Sequence, residues 1–295
     1  MRIVSLGLLT IMLAGASACN PAESSRNPTH DAGAADNAVG DETPPPAGPP
    51  FQSRVDGVAI TAADSIPPFR GKPPSALCFD SSPGTRQGES VAARGWQVTG
   101  EAEAGGYQLV SFVGTMEQGT SGSCLLGDGN IALFHGGDVK AILYAPKGVE
   151  RSIGAIETLE SGSIRIFDGD FLSQPMADIR FGEDGSVRID EVAAFEQVCG
   201  GRAKVPNIYG MPVNRARTLL GEAGWTPLPS EAASEHRDGR ARSLAMRGVS
   251  EVEDCSGTGF GYCRFRYRSG AGTLSVVTAG DDEWPGVARY SVDCG

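Results

Sequence analysis

Every second residue of one C-terminal segment is an arginine: Arg264, Arg266 and Arg268 alternate with Cys263, Phe265 and Tyr267. On a β-strand this spacing projects all three guanidinium groups from one face, roughly 7 Å apart. Such a row suits carboxylates or phosphates, which a guanidinium grips in a two-pronged hydrogen-bonded fork. The competing use is cross-strand pairing with local acids such as Glu253 or Asp254. Other chemistry-bearing sets are sparse. Of the three histidines, His30 lies in a Pro-rich stretch, and neither His135 nor His236 adjoins a nucleophile in the sequence. Asp168-Gly169-Asp170 pairs two acids but lacks the later ligands of a calcium loop. Gly257-Thr-Gly-Phe-Gly261 has glycines but runs into Cys263-Arg-Phe-Arg-Tyr267, a strand pattern rather than the helix a phosphate-binding loop needs. The cysteines show no CxxC spacing, so zinc is disfavoured, and no cofactor or catalytic residue is assigned. Carboxylate dyads among the 36 acids keep an enzyme in view as the alternative.

The chain that must position these residues has 295 of them, enough for about two domains. With 40% apolar residues it can bury a core, and a net charge of −11 argues against a nucleic-acid binder. Seven cysteines is an odd number, and the N-terminus bears on it. Arg2 precedes an apolar run, Ile3 to Ala16, of about 14 residues. That run is too short to cross a bilayer but suits the core of a secretory signal, so residues 1–18 read as a signal peptide. Ala16-Ser17-Ala18 offers a site for ordinary signal peptidase. The same stretch ending in Cys19 resembles a bacterial lipobox, with Ala16 where the usual motif has Leu. The resemblance implies lipid on Cys19 and a membrane anchor facing the periplasm. Asn20, in place of the Asp that retains such proteins at the inner membrane, implies the outer membrane.

Lipid on Cys19 leaves six cysteines, which an oxidising compartment would pair as three disulfides. Residues 19–50 read as a disordered Pro/Ala-rich tether. From 20 to 50 there are seven prolines, no aromatic residue, and Val39 as the only large aliphatic.

Residues 51–198 alternate mainly with period two and are expected to form an antiparallel β meander, rolled or sandwiched. Expected strands run over 107–113, 130–134, 139–144 and 163–167. A hairpin of 177–181 with 187–189 should turn at Gly182-Glu-Asp-Gly185. Cys78 and Cys124, the only cysteines here, are the economical pair.

From 199 to 295 the texture changes. Val213, Ala216, Leu219/Leu220 and Ala223 share a helix face, with Pro212 at its start and Gly224 as a left-handed C-terminal cap. The run Val205-Pro206 to Gly210-Met211, then Ala216 to Leu219-Leu220 and Ala223-Gly224-Trp225, resembles the opening of a PASTA domain, and Gly272–Gly280 is similar to that family's last strand. The match covers about 30 residues. It implies a small disulfide-stabilised βαββ module with affinity for peptidoglycan stem peptides, but Cys255 to Cys263 replaces the family's central turn, so no family binding residue carries over. Here the cysteines allow Cys199–Cys294 with Cys255–Cys263, or the crossed Cys199–Cys255 with Cys263–Cys294. In the first pairing an unbulged hairpin would set Glu251 and Glu253 against Tyr267 and Phe265, an ill match of faces. Ala288, Tyr290, Val292 and Cys294 share a face, which would turn Cys294 inward. The expected protein is a non-catalytic envelope lipoprotein, mainly β plus α+β, binding peptidoglycan or another envelope component. A periplasmic hydrolase with its site in the β-rich part is the alternative.

Overall fold

The computed structural model describes residues 50–74, 78–79, 82–230 and 239–295. The expected signal peptide, Cys19, the rest of the expected tether to residue 49, His30 and His236 lie outside the described residues. The first part of the chain runs β1 (Phe51–Ser53), β2 (Ala59–Ala62), α1 (Arg86–Ala92), β3 (Gln97–Ala104), β4 (Tyr107–Val113), β5 (Thr115–Gln118), β6 (Cys124–Gly127), β7 (Asn130–His135), β8 (Asp138–Tyr144), β9 (Ile153–Thr158), β10 (Ile164–Asp168), β11 (Pro175–Phe181) and β12 (Val187–Asp190). These strands build two five-stranded sheets, β2-β8-β7-β4-β3 and β1-β12-β11-β10-β9, beside the small hairpin β5-β6. The pairing is antiparallel except that β1 lies parallel to β12, a departure from a pure meander.

The two sheets share one core. Leu109, Ile131, Leu133 and Leu143 from the first meet Ile153, Ile164, Ile166, Ile179 and Ile189 from the second, all with no exposed surface. Each such side chain contributes about 1.5–3 kcal/mol by leaving water. Strands β4 and β7 lose the expected alternation, since Leu109–Val113 and Ile131–Phe134 are buried throughout. The reason is a second layer: α1 with Ile66 and Trp96 covers the outer face, over Val98, Val110, Phe112 and Phe134. A sheet covered on both faces reads as a continuous apolar run. Helix α1 has seven residues, too few for a sequence signal, and is capped by Thr85, whose Oγ1 accepts from the Gly88 N–H at 3.1 Å. β7 and β8 are joined through Gly136 and Gly137, whose φ of 61° and 93° only glycine adopts freely.

The second part runs β13 (Phe195–Val198), β14 (Ala203–Pro206), α2 (Val213–Glu222), β15 (Thr226–Pro227), α3 (Gly239–Met246), β16 (Val252–Cys255), β17 (Cys263–Ser269), β18 (Gly272–Ala279) and β19 (Gly286–Cys294). β13 and β14 form a hairpin. The others form a sheet β15-β17-β18-β19, with β16 on the same edge of β17 as β15. Helices α2 and α3 bury Val213, Ala216, Leu220, Ala241 and Leu244 in one core with Phe265, Tyr267, Leu274 and Val276. Helix α2 ends as its sequence demands. Gly224 has φ of 87°, its N–H reaches the Gly221 carbonyl, and the Trp225 N–H reaches the Leu220 carbonyl. Trp225 is buried and donates Nε1–H to the Lys204 carbonyl at 2.8 Å. No helix among the described residues is long and apolar enough to cross a membrane.

The cysteines pair as Cys78–Cys124, Cys199–Cys294 and Cys255–Cys263, with Cα separations of 5.9, 5.4 and 4.0 Å. The ill match of faces at Cys255–Cys263 is resolved by a β-bulge. Val252 lies opposite Phe265, Asp254 opposite Arg264 and Cys255 opposite Cys263, which leaves Glu253 as the extra residue. Glu251, just before the strand, is fully buried; the Tyr267 hydroxyl donates to it at 3.0 Å and Arg217 lies 2.8 Å away. Cys294 is exposed rather than turned inward, because it sits at the end of β19 beyond the covered part of the sheet.

Candidate functional site

The alternation of β17 holds in three dimensions. Cys263, Phe265 and Tyr267 are buried while Arg264, Arg266 and Arg268 are exposed. Register across the sheet adds a fourth arginine to the same face: Arg264 lies beside Val277, which lies beside Arg289 of β19. Apart from Val277 the rest of the face is polar, with Ser275 beside Arg266, Thr226 and Thr273 on either side of Arg268, and Ser291 and the acid Asp293 beyond Ser275 and Thr273 on β19. One arginine is spoken for, since Arg266 pairs with Glu253 at 3.3 Å. Arg264, Arg268 and Arg289 make no ion pair among the described residues, although Asp254 sits across from Arg264. An exposed pair stabilises by only about 0.2–1 kcal/mol, so even Arg266 can change partner at low cost.

A second constellation lies where the β9–β12 sheet meets the C-terminal part. Isoleucines 164 and 166 of β10 enter the core, which sends Arg165 and Phe167 to the opposite face. Arg165 is nevertheless only 1% exposed. It donates Nε–H and an Nη–H to the two oxygens of Asp178 at 2.9 and 3.2 Å, and its other Nη–H to Glu196 of β13 at 2.9 Å. The Tyr290 hydroxyl donates to the same Glu196 oxygen at 2.8 Å, and the Ala193 N–H to Asp178 at 2.9 Å. Burial opposes the charge on Arg165, but hydrogen bonding and charge from Asp178, then Tyr290 and Glu196, hold it firmly protonated. Burial and the nearby Glu196 keep Tyr290 from ionising.

Beside this network opens a cleft of about 560 Å³. Its aromatic wall comprises Phe167, Phe171, Tyr209, Tyr262 and Tyr290, with Tyr209 tilted against Tyr290 at 4.9 Å between centroids and edge-on to Phe167 at 5.8 Å. Glu157 of β9 and Arg289 of β19 also line it. Glu157 is exposed near the end of β9, yet partial desolvation against the cleft wall, then repulsion from Glu196, raises its carboxyl above the usual range, with Arg165 opposing. The sign follows. A carboxyl whose value is raised on folding favours the fold while protonated and loses that contribution as pH rises through its folded value. Glu157→Gln should therefore melt with the parent below the usual carboxylate range and above it at neutral pH; equal melting temperatures at both would refute the shift.

The remaining residues singled out from sequence have local roles. The Asp168 carboxylate binds Arg151 at 2.8 Å and takes the N–H groups of Asp170 and Gln174 at 3.2 and 3.0 Å, so it organises a loop. Gly257–Gly261 forms the loop of the β16–β17 hairpin, closed by the Ser256 N–H on the Tyr262 carbonyl at 2.6 Å. His135 Nδ1 lies 2.9 Å from the Gly106 carbonyl, away from the cleft. Ser123 and Ser173 line the cleft but donate their hydroxyls to the carbonyls of Thr120 and Asp168. Compared with known families, curated proteins and solved structures, the chain matches none.

Sequence reasoning missed Arg289, Arg165 and the cleft. Alternation along β19 already turned Arg289 outward, but its place beside Arg264 depends on the β17–β18–β19 register. The clean alternation Ile164-Arg-Ile-Phe167 put an arginine and a phenylalanine on one face, and Glu196, Tyr209 and Tyr290, which cover that face, come from far along the chain.

Proposed function

We propose that this protein is a non-catalytic binding module of the bacterial cell envelope, taking an anionic envelope polymer such as peptidoglycan on the open face of its C-terminal sheet. The observation that carries this reading is the arginine face: Arg264, Arg268 and Arg289 stand exposed without ion pairs among the described residues, in a chain of net charge −11. Free guanidinium groups on a flat polar sheet suit carboxylates or phosphates spaced along a polymer, and such binding weakens with salt. In the same reading the C-terminal part is PASTA-like, supported by its Val-Pro entry, helix and Ala-Gly close. Lipid on Cys19 would hold the protein at the outer membrane facing the periplasm, supported by the lipobox-like segment. Mass spectrometry of the mature N-terminus tests the anchor, and an unmodified Cys19 would refute it.

Sedimentation of the mature chain with purified peptidoglycan tests the ligand. Arg264→Ala with Arg268→Ala should weaken binding by about two- to thirtyfold, two exposed charge contacts being worth roughly 0.4–2 kcal/mol together. Absent sedimentation of the parent, or an unchanged double variant, would reject the reading. One observation favours a hydrolase as second reading: Glu157, with its raised carboxyl, neighbours Glu196 at an aromatic cleft. Release of soluble wall fragments by the parent but not by Glu157→Gln would put that reading first.

A further inference from the structure

Two opposite charges line the aromatic cleft without meeting. Among the described residues the Glu157 side chain makes no hydrogen bond or ion pair, and the Arg289 side chain makes none either. Around them stand the half-buried rings of Phe171, Tyr209, Tyr262 and Tyr290. We propose that this cleft binds a small zwitterion, an amine whose ammonium packs against the rings and pairs with Glu157 while its carboxylate takes Arg289.

The charge balance behind the wall supports the polarity. Arg165 is the guanidinium at the junction, and its hydrogen bonds go to Asp178 and Glu196. Glu157, opposite Arg165 in the β9–β10 register, is thus a third carboxylate around one cation. An ammonium beside Glu157 supplies the missing positive charge, and the electron-rich faces of tyrosine and phenylalanine add attraction for the same cation. A ligand with that charge alone would meet Arg289 of like sign. One carrying a carboxylate as well satisfies both groups, and the guanidinium fork matches its two oxygens. The cleft volume of about 560 Å³ falls within the roughly 300–1,000 Å³ of small-molecule sites. The inference goes beyond the polymer-binding reading: the two sites share Arg289 at the edge of the sheet, but Arg264 and Arg268 do not line the cleft.

Calorimetric titration of the full chain with ω-amino acids, from glycine to 8-aminooctanoate, tests the site. Each is compared with the amine and the carboxylate of equal length. At least one zwitterion should bind about tenfold more tightly than either match. Glu157→Gln should abolish its advantage over the carboxylate, and Arg289→Gln its advantage over the amine. Tyr262→Ala, which removes a ring and no charge, should weaken the zwitterion and the amine alike. Arg264→Ala with Arg268→Ala should leave these affinities unchanged, which separates this site from the polymer face. Absence of saturation by every zwitterion up to about 10 mM, or tight binding indifferent to both Glu157→Gln and Arg289→Gln, would overturn the proposal.

Discussion

Arg165→Met should destabilise the fold by about 3–5 kcal/mol, the usual cost of removing one partner from a buried ion pair. The side chain is almost wholly out of water and is the cation shared by Asp178, 1% exposed, and Glu196. Its loss leaves Asp178 buried without a countercharge, holding the Ala193 N–H alone, and leaves Glu196 with the Tyr290 hydroxyl as its one donor among the described residues. The urea midpoint should fall with little change in slope. Arg165→Met combined with Asp178→Leu should recover much of the loss, since an apolar pair leaves no unpaired charge, although the Ala193 N–H then loses its acceptor. A single variant within 1 kcal/mol of the parent would show that water reaches the site. Because the ion pair joins the β9–β12 sheet to β13, the experiment also measures how strongly the cleft walls are held together.

Cys199→Ser with Cys294→Ser should cost nearly as much, about 4.7 kcal/mol on the chain-entropy account, because the bridge spans 95 residues. Cys255→Ser with Cys263→Ser, spanning eight, should cost about 2.5 kcal/mol. Equilibrium unfolding of the two variants gives the ratio, and a larger loss at the short bridge would overturn the account. The long bridge also steadies a backbone that few side chains accept. Cys199 has φ of 59°, outside the usual range for residues other than glycine. The Glu160 carboxylate takes the N–H groups of Cys199 and Gly200 at 2.7 and 2.8 Å, so the turn keeps one support after the bridge is gone.

Local pattern revealed what depends on neighbours in the chain. Ile164 and Ile166 pointed to the β10 core face, and Pro212 with Gly224 bracketed α2 to within two residues at each end. The alternation of β17 placed three arginines on one face, as found. What stayed hidden depends on partners far along the chain. Arg165 reads as a solvent-facing residue until Glu196 and Tyr290 are laid over it. The cleft gathers Glu157, Tyr209, Tyr262 and Arg289 from four separate segments, and no spacing rule connects them. Helix α1 is only two turns long, and packing over Phe112 and Val110 rather than periodicity holds it.

The bulge at Glu253 bears on how this hairpin tolerates changes in length. With that residue left out, Val252, Asp254 and Cys255 would still face Phe265, Arg264 and Cys263 in an unbroken ladder. Losing Glu253 therefore leaves both faces of β16 as they are, and losing Asp254 would only bring Glu253 opposite Arg264; losing Val252 instead would turn Glu253 toward the core. Relatives one residue shorter at that spot would keep the Cys255–Cys263 bridge and, having shed the acid that pairs with Arg266, would present a more cationic face.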